Sequence, residues 1–301
     1  MAAPLPISII VHTRNSASTL KKCLSSLPEV RELLVVDMES TDETLIIARQ
    51  FHARTMTVAD VGYVEPARMI AIEQATEPWI LIVDADEQLP ADCATWLTPL
   101  LEENEHAIVA LPRRNRMFGH PMTATGWWPD YQVRLFKKGL VEWDSNIHSQ
   151  PQCQHQPFKL PTTDTYALIH ENYQQIAQFI ARMNRYTSIE VTSKKSSPVQ
   201  RHDWLNLMSE EFFTRFGKKQ GWKDREQGLA LSLLQSFYPL VVALKRWEQT
   251  GFAHSRNFEQ SISPQLAQLA HNLAYWRASY EIDHSSGLAK LYWQIRRKLQ
   301  L

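Results

Sequence analysis

Only three cysteines occur in the 301 residues, Cys23, Cys93 and Cys153, far apart and with no C-x-x-C pair. Their spacing excludes a zinc ribbon and a disulfide framework, and suits a reducing compartment. Glycine is scarce as well, nine in all. There is no P-loop, no G-x-G-x-x-G follows the first apolar run, and no G-x-S-x-G elbow occurs. The dinucleotide-oxidoreductase and α/β-hydrolase readings therefore lose their usual signatures. Net charge is absent too: 32 Lys and Arg balance 32 Asp and Glu. No global field draws the chain to nucleic acid, and any such binding would need a local patch. No uncharged apolar run reaches the roughly 18–20 residues of a spanning helix, and the N-terminus shows no basic n-region. A cytoplasmic protein is the expectation. Repeats and low-complexity tracts are missing. What remains, 44% hydrophobic and 21% charged residues, is the composition of an ordinary globular chain with a sizeable core. Its length suits one large domain or a domain with an appendage.

The first hundred residues alternate two periodicities. Strands are predicted at Ile7–Thr13, Glu32–Asp37, Arg54–Val58 and Trp79–Asp84, with helices at 17–27, 44–51, 66–75 and near 90–103. Pro66 falls in the first turn of its helix, where proline is favoured. Near-continuous apolar strands separated by helices predict a parallel sheet covered on both faces. Antiparallel strands follow at 107–112, 131–136 and 140–143, with a long loop from Asn115 to Asp130. From about Asn172 the pattern is helical, with candidates at 175–186, 205–216 and 229–238. Pro239 is expected to interrupt the apolar stretch Leu229–Trp247, which then reads as a core helix pair, and the Ser- and Lys-rich stretch 192–200 is the linker candidate.

Ligands of open α/β sheets bind beyond the carboxyl ends of the strands. Three polar loops fall there: Thr13-Arg14-Asn15, Asp37 to Asp42, and Asp84-Ala85-Asp86-Glu87. Carboxylates so closely spaced repel unless solvated, protonated or neutralised by a cation. Asp84 and Asp86, two apart, can share a hard divalent ion, which prefers oxygen ligands. Glu87 reads as solvated or paired.

Taken in order, these segments resemble those of a family 2 glycosyltransferase of the GT-A fold, in the bacterial branch that adds sugars to the lipopolysaccharide core. V-H-T-R-N at 11–15 resembles the family's first loop, and L-V-V-D-M-E-S-T-D-E-T at 34–44 its second. W-I-L-I-V-D-A-D-E at 79–87 resembles its metal-binding strand. G-W-W-P-D-Y-Q-V-R-L-F at 126–136, followed by Ile147-His148, resembles the branch's downstream block, and H-E-N-Y at 170–173, Arg185-Tyr186 and D-R-E-Q-G at 224–228 fit its helical tail. The resemblance implies a catalytic domain over 1–170, with nucleotide-sugar binding in 1–104 and acceptor binding and catalysis in 105–170, and a helical region over 171–301. It implies a UDP-sugar donor held by Thr13, Arg14, Asn15, Asp37, Ser40, Thr41 and Asp42. It also implies Mg²⁺ or Mn²⁺ on Asp86, with Asp84 contacting ribose or metal. Asp130 is the implied general base, and Arg134 and His148 would meet the diphosphate or its metal.

Plainer roles stand beside these. Asp37 and Asp42 can cap the following helix, and Asp130 can be a turn residue after Pro129. His148 can be a structural histidine, Arg134 can pair with Glu142 across a hairpin, and Trp127 and Trp128 can be core. The sequence departs from the branch at Pro66-Ala67-Arg68, where Arg68 can supply a phosphate contact, and at Ser149. The expected activity is metal-dependent, inverting transfer to a lipopolysaccharide-core or other surface-glycan acceptor. A transferase acting on a peptide or small metabolite, and a non-catalytic nucleotide-sugar-binding protein, are the alternatives. The terminal L-Y-W-Q-I-R-R-K-L-Q-L leaves two readings open, a solvated helix or one lying on anionic lipid at the cytoplasmic face of the inner membrane.

Overall fold

The computed structural model describes residues 3–103, 105–144, 150–192, 203–254 and 258–299. The linker candidate falls almost wholly outside them, as do His148 and Ser149. The chain divides into two compact units, one of residues 1–121 and 128–172, the other of 122–127 and 173–301.

In the first unit, strands β1 (Leu5–Thr13), β2 (Val30–Asp37), β3 (Arg54–Thr57) and β4 (Trp79–Asp84) alternate with helices α1 (Ala17–Ser25), α2 (Thr44–Gln50) and α3 (Glu65–Gln74). The short β5 (Glu87–Gln88) and α4 (Cys93–Glu103) follow, then β6 (Ile108–Met117), β7 (His120–Pro121) and β8 (Asp130–Lys137). The unit ends with β9 (Val141–Glu142), β10 (Gln152–Cys153), β11 (Phe158–Lys159) and β12 (Leu168–Tyr173). Among the described residues the main sheet runs β3-β2-β1-β4-β8-β6-β12-β5. β1 pairs in parallel with β2 and β4, whereas β4–β8 and β8–β6 are antiparallel. Burial on both faces explains the unbroken apolar strands. Ile7, Ile9 and Val11 pack one face with Leu20, Leu24 and Leu97, while Ile10, Ile80 and Ile82 pack the other with Ala71 and Ile72. The parallel half and the antiparallel switch are as the sequence led one to expect. β6 is longer, running through the polar Arg113–Met117 that sequence patterning assigned partly to a loop.

The second unit holds α5 (Ile176–Thr192), α6 (Trp204–Phe212), a π-helical stretch Phe213–Lys218, a 3₁₀ turn Gly221–Asp224, α7 (Arg225–Gln249), α8 (Phe258–His284) and α9 (Gly287–Leu299). Pro239 does not end α7. The helix continues through it for ten more residues, against the expectation of a broken pair. Gly221–Gln249 is, by length and composition, long and apolar enough to cross a membrane, with a third of its most apolar window buried in the unit. A window tolerates isolated polar residues, which a search for uncharged runs does not.

The D-R-E-Q-G segment has a local structural reason. Asp224 clamps the loop at 123–125, accepting from the Thr123 N–H and hydroxyl (both 2.7 Å), the Ala124 N–H (3.0 Å) and the Thr125 hydroxyl (2.6 Å). Gly228 lies against the 3₁₀ turn, where an added Cβ would stand 1.9 Å from the Gly221 carbonyl oxygen. Because the obstacle is backbone, Gly228→Ala is expected to cost about 1–3 kcal/mol, the usual range for overpacking. Chemical denaturation followed by far-UV circular dichroism checks this, and an unchanged midpoint would contradict the close approach.

Candidate active site

The first two polar loops are knitted to each other. Asn15 sits at φ 47°, a left-handed conformation that asparagine tolerates. From there its Oδ1 accepts from the Thr41 N–H at 2.8 Å, and its own N–H donates to Ser40 Oγ at 2.8 Å. Asp37 accepts from the Ser40 N–H at 3.0 Å through Oδ2. Asp37 Oδ1 and Thr13 Oγ1 are buried and make no hydrogen bond among the described residues. Buried polar atoms are normally satisfied, so a ligand group is the natural partner for these two. Arg14 forms an ion pair with Asp60 at 2.6 Å.

Asp42 has another task. Its carboxylate accepts from the Ala17 N–H and the Thr44 N–H, each at 3.0 Å, and from the Thr44 hydroxyl. It thus holds the first turns of both α1 and α2. Burial works to raise its pKa, but these hydrogen bonds hold it below the ordinary carboxylate value. Both oxygens serve helix starts, which is the capping role its residue type favours.

At the end of β4, the closely spaced carboxylates are separated by arginines. Asp84 accepts from Arg134 and, at 3.3 Å, from Arg68. Burial works to raise its pKa, yet the two guanidinium groups hold it far below the usual range. Glu87 is wholly buried and paired with Arg134 at 2.6 Å and Arg113 at 3.2 Å, so it is not a solvated turn residue. Arg134 is buried against Asp84 and Glu87, and Asp84 is paired with two arginines. Arg68 is also buried, and among the described residues its Nη1 has no hydrogen-bond partner. Next to it, burial and the Arg68 charge push the His12 pKa down to about 3, so this histidine is neutral at physiological pH.

Asp86 faces His170, with Oδ2 and Nε2 3.4 Å apart. The other ring nitrogen, Nδ1, lies 2.6 Å from Asn115 Oδ1, and Asn115 Nδ2 donates to Asp130 at 2.9 Å. With the amide so oriented, His170 Nδ1 is the donor, and Nε2 is the ring nitrogen turned toward Asp86. A lone pair and a carboxylate face each other stably only across a proton or a cation. A ring nitrogen fixed in this way is the form that binds metals. The pair thus fits a divalent ion that takes its remaining ligands from phosphate oxygens and water. Among the described residues no group of three or more His, Cys, Asp or Glu side chains converges as a complete metal cage.

Asp130 begins β8. Its Oδ2 accepts from Arg113 Nε and Nη2 (2.9 and 2.6 Å) and from Asn115, and its Oδ1 accepts from Gln132 at 2.7 Å. Burial works to raise the Asp130 pKa, but the Arg113 charge and these hydrogen bonds leave it lowered. One polar chain therefore runs from Asp86 through His170 and Asn115 to Asp130, then through Arg113 and Glu87 to Arg134 and Asp84. Sequence reasoning missed three members of it. Arg113 and Asn115 lie in R-R-N-R, past the end predicted for their strand, and the charge density there was the available signal. His170 lay in the H-E-N-Y segment with no role attached. Trp128 carries the Arg114 guanidinium 3.4 Å above its ring, which occupies one of its faces.

The sheet order, with its parallel-to-antiparallel switch and carboxylate-rich strand ends, is that of the GT-A fold. Residues 8–155, just under half of the chain, match the profile of glycosyl transferase family 2, and this part of the chain is a family 2 glycosyltransferase domain. The chain is 23% identical over 87% of its length to the lipopolysaccharide core biosynthesis glycosyltransferase LpsC of Rhizobium meliloti, all of which is covered. It is 36% identical to a PGL/p-HBAD biosynthesis glycosyltransferase of Mycobacterium bovis, over 35% of this chain and 44% of that one. Among solved structures it is similar to S. aureus TarS bound to UDP-GlcNAc (TM-score 0.43, 15% identity, covering 98% of this chain and 88% of that one). It is also similar to the Mycobacterium tuberculosis glucosyl-3-phosphoglycerate synthase bound to Mn²⁺ and UDP (TM-score 0.31, 22% identity, covering 36% and 44%). At these scores no residue role is carried over from either structure.

Proposed function

We propose that the chain transfers a sugar from a UDP-sugar, with inversion and with a divalent cation, to a hydroxyl of a lipopolysaccharide-core or related surface-glycan acceptor. The observation that carries the reading is the Asp86–His170 pair tied through Asn115 to Asp130. It joins a cation-binding corner to a carboxylate suited to an attacking hydroxyl. The name of LpsC supports the acceptor class, and an acceptor of that kind would be met at the cytoplasmic face of the inner membrane.

Thr13, Asn15, Asp37, Ser40 and Thr41 would receive the nucleoside, with the unsatisfied Thr13 Oγ1 and Asp37 Oδ1 as its polar partners. Arg14 lines that loop, and the free Nη1 of Arg68 would meet a phosphate oxygen. Asp86 and His170 would hold Mg²⁺ or Mn²⁺. A cation held by these two residues would supply charge neutralisation for a leaving diphosphate. Asp130 accepts the hydroxyl proton, and a single base opposite the leaving group gives inversion, by analogy with single-displacement glycosidases. Arg113 and Asn115 orient that carboxylate, while Arg134 and Glu87 hold the strand ends in register behind it.

A panel of nucleotide sugars, read by release of the nucleoside diphosphate, tests donor and reaction together. UDP release from a UDP-sugar is expected, and release only from other nucleotide sugars would replace the donor assignment. Asp86→Ala is expected to abolish the Mn²⁺-dependent part of UDP stabilisation in a thermal-shift measurement while leaving the metal-independent part. Undiminished metal dependence in that variant would refute the metal site.

A further inference from the structure

The helical unit contains a cavity of about 480 Å³ that no step of the transfer reaction uses. That volume lies within the range of ligand sites. Its walls are aromatic. Phe216 packs edge-on against Trp222, Trp222 edge-on against Tyr280, and Phe213 stacks with Trp276. Its mouth is formed by Leu229, Leu273 and Tyr280, all large and all substantially exposed. Leu233 and Phe237 follow Leu229 at four-residue steps, on the same face of α7, and both are exposed. An apolar track thus leads out of the cavity along the helix. Contiguous exposed apolar side chains mark an interaction site, and a track continuous with an open pocket suits a hydrocarbon chain better than a compact ring. Sugars need several fixed polar partners, which these walls do not offer.

Charge favours one kind of amphiphile. Arg225 and Arg277 line the cavity, with Glu226 as the acidic neighbour. Lys218, Lys219 and Lys223 lie in the same turn region and are exposed. Of the other acids nearby, Asp224 is consumed by the loop at 123–125 and Glu211 pairs with Arg215 at 2.7 Å. Among the described residues, no salt bridge engages Lys218, Lys223, Arg225 or Arg277.

We infer that this cavity takes the hydrocarbon chain of an anionic membrane phospholipid, with the headgroup phosphate at Arg225 and Arg277. The inference stands independently of the donor and metal assignments, and would place the transferase where a glycolipid acceptor is presented.

The test uses the full chain with vesicles of phosphatidylcholine, with and without phosphatidylglycerol. Flotation with the anionic vesicles alone is expected, together with tryptophan quenching by phosphatidylglycerol brominated on its acyl chains. Trp222→Phe should reduce that quenching without reducing flotation. Arg225→Glu with Arg277→Glu, which reverses two exposed charges and also removes the Arg277 cation–π contact with Trp293, should weaken flotation at least roughly tenfold. Leu229→Glu with Leu273→Glu should do the same, and circular dichroism verifies that both double variants stay folded. Replacing Arg296, Arg297 and Lys298 with Glu should leave the quenching in place. The inference is overturned by absence of flotation, by flotation without acyl-chain quenching, or by binding lost only in the α9 variant, which would mean adsorption through that helix.

Discussion

Replacing Arg134 by Met is expected to destabilise the sheet-containing unit by about 3–5 kcal/mol, the cost of removing one partner from a buried ion pair. Arg134 is almost fully buried and bridges Asp84 and Glu87. Methionine approximates its bulk, so little of the loss comes from a cavity. What the variant leaves is Glu87, wholly buried, with only Arg113 at 3.2 Å, and Asp84 with only Arg68 at 3.3 Å. A second substitution separates charge from packing. Glu87→Gln removes the stranded charge and keeps an acceptor for the Asp84 N–H, which Glu87 receives at 3.0 Å. The double variant should therefore recover part of the loss. A double-mutant cycle measured by urea denaturation gives the coupling, and simple additivity of the two losses would show that the arginine acts through packing alone.

That network also marks where sequence reading stopped. The parallel half of the sheet was legible because each strand is buried on both faces and so reads as an apolar run. Asp86 was legible because its spacing from Asp84, at the end of such a run, is a local signal. Partners were not. Whether Asp84 meets a cation or an arginine depends on Arg68 and Arg134, sixteen and fifty residues away, and periodicity carries no information about that choice. His170 reaches Asp86 because β12 pairs with β5, bringing His170 opposite Glu87, a contact between strands more than eighty residues apart. Asp42 shows the converse. Its residue type and its position before α2 favoured a cap, and the structure makes it a cap for two helices at once. Pro239 misled because proline's penalty in a helix is local, whereas α7 is held by packing along its whole length.

Asp130→Asn is expected to lower turnover by roughly 10²–10⁴-fold, the usual contribution of a positioned general base, while UDP binding persists. The argument rests on how the carboxylate is held. Three donors crowd Oδ2, whereas among the described residues Oδ1 receives only Gln132. A carboxylate oxygen has two acceptor directions, so Oδ1 keeps one for the acceptor hydroxyl. Asparagine preserves the shape but cannot take the proton. Arg113 retains Glu87 as a partner, so the fold should survive. The pH dependence gives an independent reading. Against the effect of burial, Arg113 lowers the Asp130 pKa. The basic form therefore persists to lower pH than for an ordinary carboxylate, and the acid limb of the kcat profile should lie correspondingly low. Arg113→Gln removes the first of the lowering causes, which raises that pKa and should move the acid limb to higher pH. An unmoved limb in Arg113→Gln, or turnover retained in Asp130→Asn, would transfer the role of base to another carboxylate.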